Sequence, residues 1–373
     1  MSARCRPSAL AATAGLSARA SVASVGGAGV TTMSDRREDL IPLSPAEGVQ
    51  RFLGYREPSV SKSTFHNNKT TLEQFAAWCR EEGIDNLNDL NGRDLADFVA
   101  WRRGEVKPIT LQKNLSAVRV ALEYWADIEA VVAGLREQVH APTLPDGAEA
   151  RDVKVDRDIA DSVLGYLGKH RYASREHAIL SLMWRTGMRL GTIRSLDVAD
   201  LVQGEAALDV HHRPSSETPL KNGPAGERWV WLGDAVMQTL VDYRDIHRDD
   251  VRDGHNRQPL FTSRYGRLSD SAIRDTSYRW TQPCRWSTCP HGREQATCEA
   301  YGAKNLPSKC PSARSPHGWR RGAITDHLAR GVSAEIVSER MNVSLEVLYR
   351  HYDARDEGQK MAVRREELER RLS

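Results

Sequence analysis

Apolar residues recur at helical intervals in two well-separated parts of the chain. Leu72, Phe75, Ala76 and Cys79 follow i, i+3, i+4, i+7, and Leu111, Leu115, Val118, Leu122 and Trp125 continue a similar stripe over four turns. A period near 3.6 residues puts one face of each helix into a core. Between them NGRDLADFVAWRR predicts a shorter helix with Leu95, Phe98 and Val99 inward, and Thr110 is the expected N-cap of the helix that follows. The natural assembly is a small domain of four or five helices. Farther on, Ser174 stands where it would cap a helix with Ile179, Leu182, Met183 and Thr186 on one face, ended by Gly187. The pattern then changes period. AALDVHH at 206–212 and RWVWLG at 228–233 predict two strands of a hairpin, joined by a Pro/Gly/Ser-rich turn that carries Lys221. The expected fold class is therefore mainly α with a small β-hairpin or sheet.

Between the two helical regions, residues 138–156 hold two prolines, a glycine and no periodicity, which marks a linker. The expected organisation is an N-terminal extension over 1–45, a helical domain over 46–140, a linker over 141–156 and a second domain over 157–373. The first 34 residues carry three arginines and no acid among Ala, Ser, Gly and Thr. They resemble an organellar transit segment in composition but lack the apolar run of a secretory signal, and Met33 opens an ordinary soluble beginning. Disorder, or translation from Met33, is expected there. The tail from Asp353 to Ser373 predicts a charged helix whose apolar positions are mainly Met361, Val363, Leu368 and Leu372.

Composition changes this picture only locally. With 373 residues, 40% apolar content and a net charge of +3, the chain has material for more than one core. Between Cys284 and Arg330, however, eight Lys/Arg face three Asp/Glu, a surplus of five. That surplus fits either a solvated face or a phosphate-rich partner. The same region holds Cys284, Cys289, Cys298 and Cys310 within 27 residues. Without a secretion signal, four clustered cysteines argue for metal over disulfides, and a tetrahedral structural zinc is the expected ion, with His291 as a spare ligand. The spacing lacks CxxC knuckles, so buried thiols or a redox pair stay open; Cys5 and Cys79 are too isolated to join.

The stretch SPHGWRRGAITDHLARGVSAEIVSERMNVSLEVLYRHY, Ser315 to Tyr352, carries the chemistry. No P-loop, GxGxxG or HExxH interrupts it. It offers an acid/base group in His317, a permanent cation in Arg320 and a phenol in Tyr352, the equipment for metal-free attack on a phosphodiester. Tyr349, one turn before Tyr352, is the competing nucleophile and is expected to be core filler.

HGWRRGAIT followed by Tyr352, 32 residues after Arg320, resembles the second catalytic box of the tyrosine recombinases, the phage integrase and Xer family. TGMRLGTIRSL is similar to that family's first box, and Arg189 matches its phosphate-holding arginine. The chain departs at Thr192, where many relatives carry a glutamate that braces neighbouring arginines. A second departure is MNV in place of LGH or LGW, which leaves Val343 at a position that usually touches the phosphate; either the reaction is slowed or His351, beside the nucleophile, takes the role, and the sequence does not choose between them. The resemblance implies that Lys221, in TPLKNG, reaches the minor groove and protonates the leaving 5′ oxygen. It also implies an N-terminal SAM-like core-binding domain that clamps DNA, with Lys62, Lys69, Arg93, Arg102, Arg103, Lys107, Lys113 and Arg119 as backbone contacts and Arg321 beside the catalytic box. A Cys-rich insertion before the His-x-x-Arg box resembles that of some archaeal integrases.

What the resemblance implies in function is site-specific cutting and rejoining of double-stranded DNA through a 3′-phosphotyrosyl intermediate, without ATP or a catalytic cofactor. Arg189 and Arg320 would hold the phosphate, His317 would take the proton of Tyr352, and Lys221 would be the general acid. A homo-tetramer on DNA, no membrane partner and an intracellular, cytoplasmic place follow from the same resemblance. A type IB topoisomerase would use the same residues as a monomer. A zinc-containing DNA-binding regulator that kept the fold without its chemistry is the non-enzyme alternative.

Overall fold

A computed structural model describes residues 39–143, 153–302, 306–353 and 355–372. The N-terminal extension to residue 38 and most of the expected linker lie outside the described residues. The chain divides into two units, Met1–Asp146 and Gly147–Ser373.

The first unit is built from α1 (Pro45–Arg56), α2 (Lys62–Glu81), α3 (Gly92–Glu105) and α4 (Pro108–Asp127). Their starts follow from capping chemistry. Ser44 and Glu47 form a reciprocal capping box on α1, the Ser61 hydroxyl accepts from the Thr64 amide on α2, and Asn91 and Asp94 form a second box on α3. The fourth helix begins earlier than expected. Pro108, whose fixed φ and missing N–H suit the first helical position, starts α4, so Thr110 lies within it and does not cap it. The predicted stripes become the core, where Phe75 packs edge-on against Phe98 with centroids 5.0 Å apart and the Trp125 indole donates to the Gly48 carbonyl at 2.9 Å. A Cβ on Gly48 would lie 2.5 Å from Leu87 Cδ1 and 3.2 Å from Trp125 Nε1, so a larger residue there would have to displace the Leu87 side chain.

The second unit runs α5 (Arg157–His170), α6 (Arg175–Thr186), α7 (Leu190–Ser195), β1 (Leu201–Val202), β2 (Ala207–Val210), β3 (Arg228–Trp231), α8 (Asp234–Asp242), β4 (Thr262–Ser263), β5 (Gly266–Arg267), α9 (Asp270–Trp280), α10 (Glu299–Gly302), α11 (Pro316–Ala329), α12 (Ala334–Met341), α13 (Leu345–Val347) and α14 (Glu357–Leu372). The predicted hairpin forms, with β2 and β3 antiparallel in the register Ala207↔Trp231 to Val210↔Arg228, and β1 extends it to a three-stranded sheet. At the centre, α6 and α11 are buried through most of their length. A Cβ on Gly322 would sit 2.0 Å from the Val155 carbonyl, so α11 admits the incoming extended chain only with glycine there. A smaller core of Ala323, Ile324, Leu328, Val337, Met341, Val343, Leu348 and Tyr352 fastens the C-terminal elements to α11. Among the described residues, no helix is long and apolar enough to cross a membrane.

Candidate active site

Each member of the site sits where an element ends. Ser174 caps α6 by accepting from the His177 amide, and Gly187 ends it in the left-handed conformation at φ 57°. Gly187 is also pressed against Met341, whose Sδ would lie 2.6 Å from an added Cβ. The chain turns there and delivers Arg189 immediately before α7. His317 and Arg320 lie in the first turns of α11, begun by Pro316. The last contributor is a five-residue wide helical turn, Leu348–Tyr352.

These segments converge on an open cleft of about 380 Å3, whose walls include Arg189, Arg274, His317 and Arg320. Tyr352 is buried beside it, with its ring 5.3 Å from the His317 ring and the Arg320 guanidinium 5.3 Å from its centroid. Arg189 is close enough for its charge to interact with the phenol. The structure thus brings Arg189, His317, Arg320 and Tyr352 together. Tyr349 is not core filler: it is 55% exposed, because the wide turn breaks the i, i+3 relation assumed for a regular helix.

Electrostatics define the site further. Burial, and then the like charge of Arg189, pushes Arg320 down to about 10, which leaves it a cation at neutral pH. Two of its buried nitrogens, Nε and Nη2, have no hydrogen-bond partner among the described residues. His317 is lowered by burial first, then by Arg320, Arg321, Arg189 and His351. Although the imidazole remains accessible from the cleft, enough protein and positive charge surround it to favour the neutral ring, which can accept a proton.

The arginines rest on backbone carbonyls. Arg320 Nη1 donates to Gly187 O and Met341 O, both at 2.7 Å, and Arg189 Nη1 donates to Asn342 O at 2.7 Å. Thr192, in the place of the family's bracing glutamate, is buried with its carbonyl taken by Ser195. Two cations of this group escaped sequence reasoning. Arg228 enters on β3, where strand alternation turns it and Val230 inward while Trp229 and Trp231 face out. Burial, then Arg320, Arg189 and Arg340, lowers it to about 10. Arg340 is lowered to about 10 by burial and Arg185. Exposed Arg274 lines the cleft from α9. Only the alternation of β3 could have pointed to one of them.

Lys221 is exposed in the β2–β3 loop, and its neighbour Asn222 donates through Nδ2 to Asn342 Oδ1 at 2.7 Å, which ties this loop to the arginine-bearing segment. Val343 is buried in the small core and does not face the cleft. His351 stands near enough to His317 to lower it.

Of the expected DNA contacts, Lys62, Lys69, Arg93, Arg103, Lys107 and Lys113 are exposed on the first unit. Arg102 is buried with its Nε on Asn114 Oδ1 at 3.2 Å, and Arg119 is spent on the Val139 carbonyl at 3.0 Å from Nε. Arg321 is buried as well. Arg102 and Arg321 therefore do not stand on an open DNA-facing surface; charge in a sequence does not say which guanidinium has been used to satisfy the fold. The four cysteines of the insertion are free thiols. Burial, then Cys289 and Cys310, raises Cys284, with Cys298 adding to the effect. Among the described residues, however, no three His, Cys, Asp or Glu are gathered as a metal-holding group.

Residues 49–126 match the N-terminal SAM-like domain of phage integrases. The chain is 22% identical over 333 residues to the tyrosine recombinase XerC of Vibrio cholerae, covering 86% of this chain and 92% of that one. It is 26% identical over 244 residues to XerC of Escherichia coli, covering 62% and 74%. Among solved structures, the Tn1549 transposon integrase in complex with transposon right-end DNA aligns over 89% of this chain and 100% of its own, with a TM-score of 0.59 at 13% identity. A lambda integrase dimer bound to a core site aligns over 84% and 79%, with a TM-score of 0.58 at 12% identity. The chain that gathers a tyrosine, a histidine and two arginines around one cleft is thus similar to tyrosine recombinases over most of its length and shares the fold of the integrases.

Proposed function

We propose that this chain is a site-specific DNA recombinase that cuts and rejoins double-stranded DNA through a 3′-phosphotyrosyl intermediate. The observation that carries this reading is a buried phenol, Tyr352, beside a histidine lowered toward neutrality and a cation with two unpaired N–H groups. Arg189 and Arg320 hold the non-bridging oxygens of the scissile phosphate, for which a planar guanidinium is better shaped than an ammonium. A free phenol ionises near about 10 and is a poor nucleophile at neutral pH. His317 takes its proton as the Tyr352 oxygen forms its bond to phosphorus. The bond from phosphorus to the 5′ oxygen breaks, and Lys221 supplies the proton that this oxygen needs. A 5′ hydroxyl from a second strand reverses the sequence and releases Tyr352. Phosphodiester energy is kept throughout, so no ATP is required.

The exposed cations of the first unit, Lys62, Lys69, Arg93, Arg103, Lys107 and Lys113, serve as phosphate contacts that position the duplex. Arg274 does the same at the mouth of the cleft. Strand exchange between two sites requires several protomers, and a tetramer on DNA is the assembly this chemistry suits. The cysteine-rich segment is not gathered as a metal-holding group among the described residues; Cys284, Cys289, Cys298 and Cys310 would hold one zinc ion, and so brace the approach to His317, only by closing on it from their present positions. Metal analysis of purified protein checks that point, with one zinc per chain expected and metal-free protein, all six of its cysteines titrating as thiols once unfolded, as the contrary result.

The function is tested by incubating the chain with a pool of nicked suicide duplexes and running denaturing gels. A covalent protein–DNA band is expected with the unaltered chain and with Tyr349→Phe, and none with Tyr352→Phe. Binding without any covalent band would favour a DNA-binding regulator.

A further inference from the structure

Three consecutive carbonyls at the end of α12 each receive a guanidinium. Arg228 Nε donates to Arg340 O at 2.9 Å, Arg320 Nη1 to Met341 O at 2.7 Å, and Arg189 Nη1 to Asn342 O at 2.7 Å. The last carbonyls of a helix lack intrahelical partners and carry the negative end of its dipole, so they attract cations without neutralising them. Arg320 and Arg189 thereby keep their charge for a phosphate.

Asn342 does more than the other two. It ends α12 in the left-handed conformation, φ 51° and ψ 63°. Glycine suits that conformation best, and asparagine is among the few other residues that adopt it readily. Glycine is the residue at this position of the family's LGH or LGW pattern. The side chain that asparagine adds is used: its Oδ1 accepts from Asn222 Nδ2 at 2.7 Å, next to Lys221. A Cβ on Gly226, in the same loop, would lie 2.9 Å from Asn342 Nδ2, so the loop packs directly on this amide. One residue therefore holds a phosphate-clamping arginine through its backbone and the Lys221 loop through its side chain.

We propose that Asn342 is a positioning residue that couples the Lys221 loop to the Arg189–Arg320 pair, so that the proton donor for the 5′ oxygen is placed by the same element that places the phosphate clamp. This rests on the reading of Lys221 as general acid. Asn342→Gly retains the left-handed backbone and the carbonyl for Arg189 while removing the link, and Asn222→Ala removes it from the other side.

The test compares single-turnover cleavage of a nicked duplex recovered as a substrate of the unaltered chain with that of the same duplex carrying sulfur in place of the bridging 5′ oxygen. A thiolate leaves without being protonated, so a defect in proton delivery disappears on the sulfur substrate and a defect in phosphate clamping persists. Losing one hydrogen bond of positioning predicts a slowing of about tenfold on the oxygen substrate for both variants. On the sulfur substrate their rates should equal that of the unaltered chain, as should that of Lys221→Ala, whereas Arg189→Ala stays slow on both. Equal slowing on the two substrates, or no slowing on either, overturns the coupling while leaving the recombinase reading intact. An unaltered chain that cleaves no duplex in the pool overturns that reading and the coupling with it.

Discussion

The second unit holds two clusters of arginines that differ in what balances them. In the first, Arg213, Arg257 and Arg267 surround Asp197, Asp200 and Asp253, with Arg267 to Asp253 at 2.8 Å and Arg257 to Asp253 at 3.1 Å. Burial alone would raise Asp253, but hydrogen bonds from Arg267 and from the Arg257 and His255 amides prevail and hold it at about 2. The Asp200 hydrogen bond raises Arg213 in turn. In the second cluster, Arg189, Arg228, Arg320 and Arg340 lean on carbonyls, and burial lowers every one of them. The first cluster is balanced by carboxylates, three against three, and serves the fold. The second crowds uncompensated cations around a phenol, an arrangement that favours binding an anion over stability.

This contrast can be broken from either side. The largest effect is expected from Arg320→Ala, which in the proposed mechanism removes donors to the non-bridging oxygens and should slow single-turnover cleavage by about a thousandfold, with Arg320→Lys recovering little of it. In the carboxylate-balanced cluster, Asp253→Asn leaves the Arg257 and Arg267 guanidinium groups short of a carboxylate and should cost about 3 kcal/mol of stability by denaturant titration, with the cleavage rate of folded protein unchanged. Asp253 lies below its ordinary value when folded, so its stabilisation is present above the usual carboxylate range and is lost as pH falls toward about 2.

A gentler probe is pH. In the proposed mechanism His317 must be neutral to take the tyrosine proton, and its pKa is lowered from 6.5. Cleavage should therefore persist as pH falls through 6.5 and fail only below it, whereas an unperturbed histidine would lose activity at that point. His177 and His327 are lowered by burial too, so stability should decline over the same acid range, where the unfolded chain binds protons more readily than the folded one. The smallest effect belongs to Tyr349→Phe, expected within about twofold of the unaltered rate because the side chain is exposed and surface changes are usually near neutral.

Much of this site was legible in the sequence, because Arg189, His317, Arg320 and Tyr352 sit in local patterns tied to helix ends. The supports were not legible. Arg228 and Arg340 lie 112 residues apart and meet through a carbonyl, which any residue could offer at that position. The same reasoning explains Arg102 and Arg321, expected on a DNA-facing surface and found buried: net charge is a property of a segment, whereas burial depends on which partner the fold brings near. Val343 was read by position against the family pattern, yet the core that it joins is assembled from α11, α12 and the Leu348–Tyr352 turn. The helical stripes of the first unit transferred well, since periodicity and core-facing direction are the same physical fact.

The most direct measurement is to digest the trapped protein–DNA adduct and identify by mass spectrometry the peptide that carries the nucleotide. The account predicts a phosphodiester on Tyr352 and none on Tyr349. A nucleotide on any other residue, or a cleaved duplex with no protein attached, would contradict it.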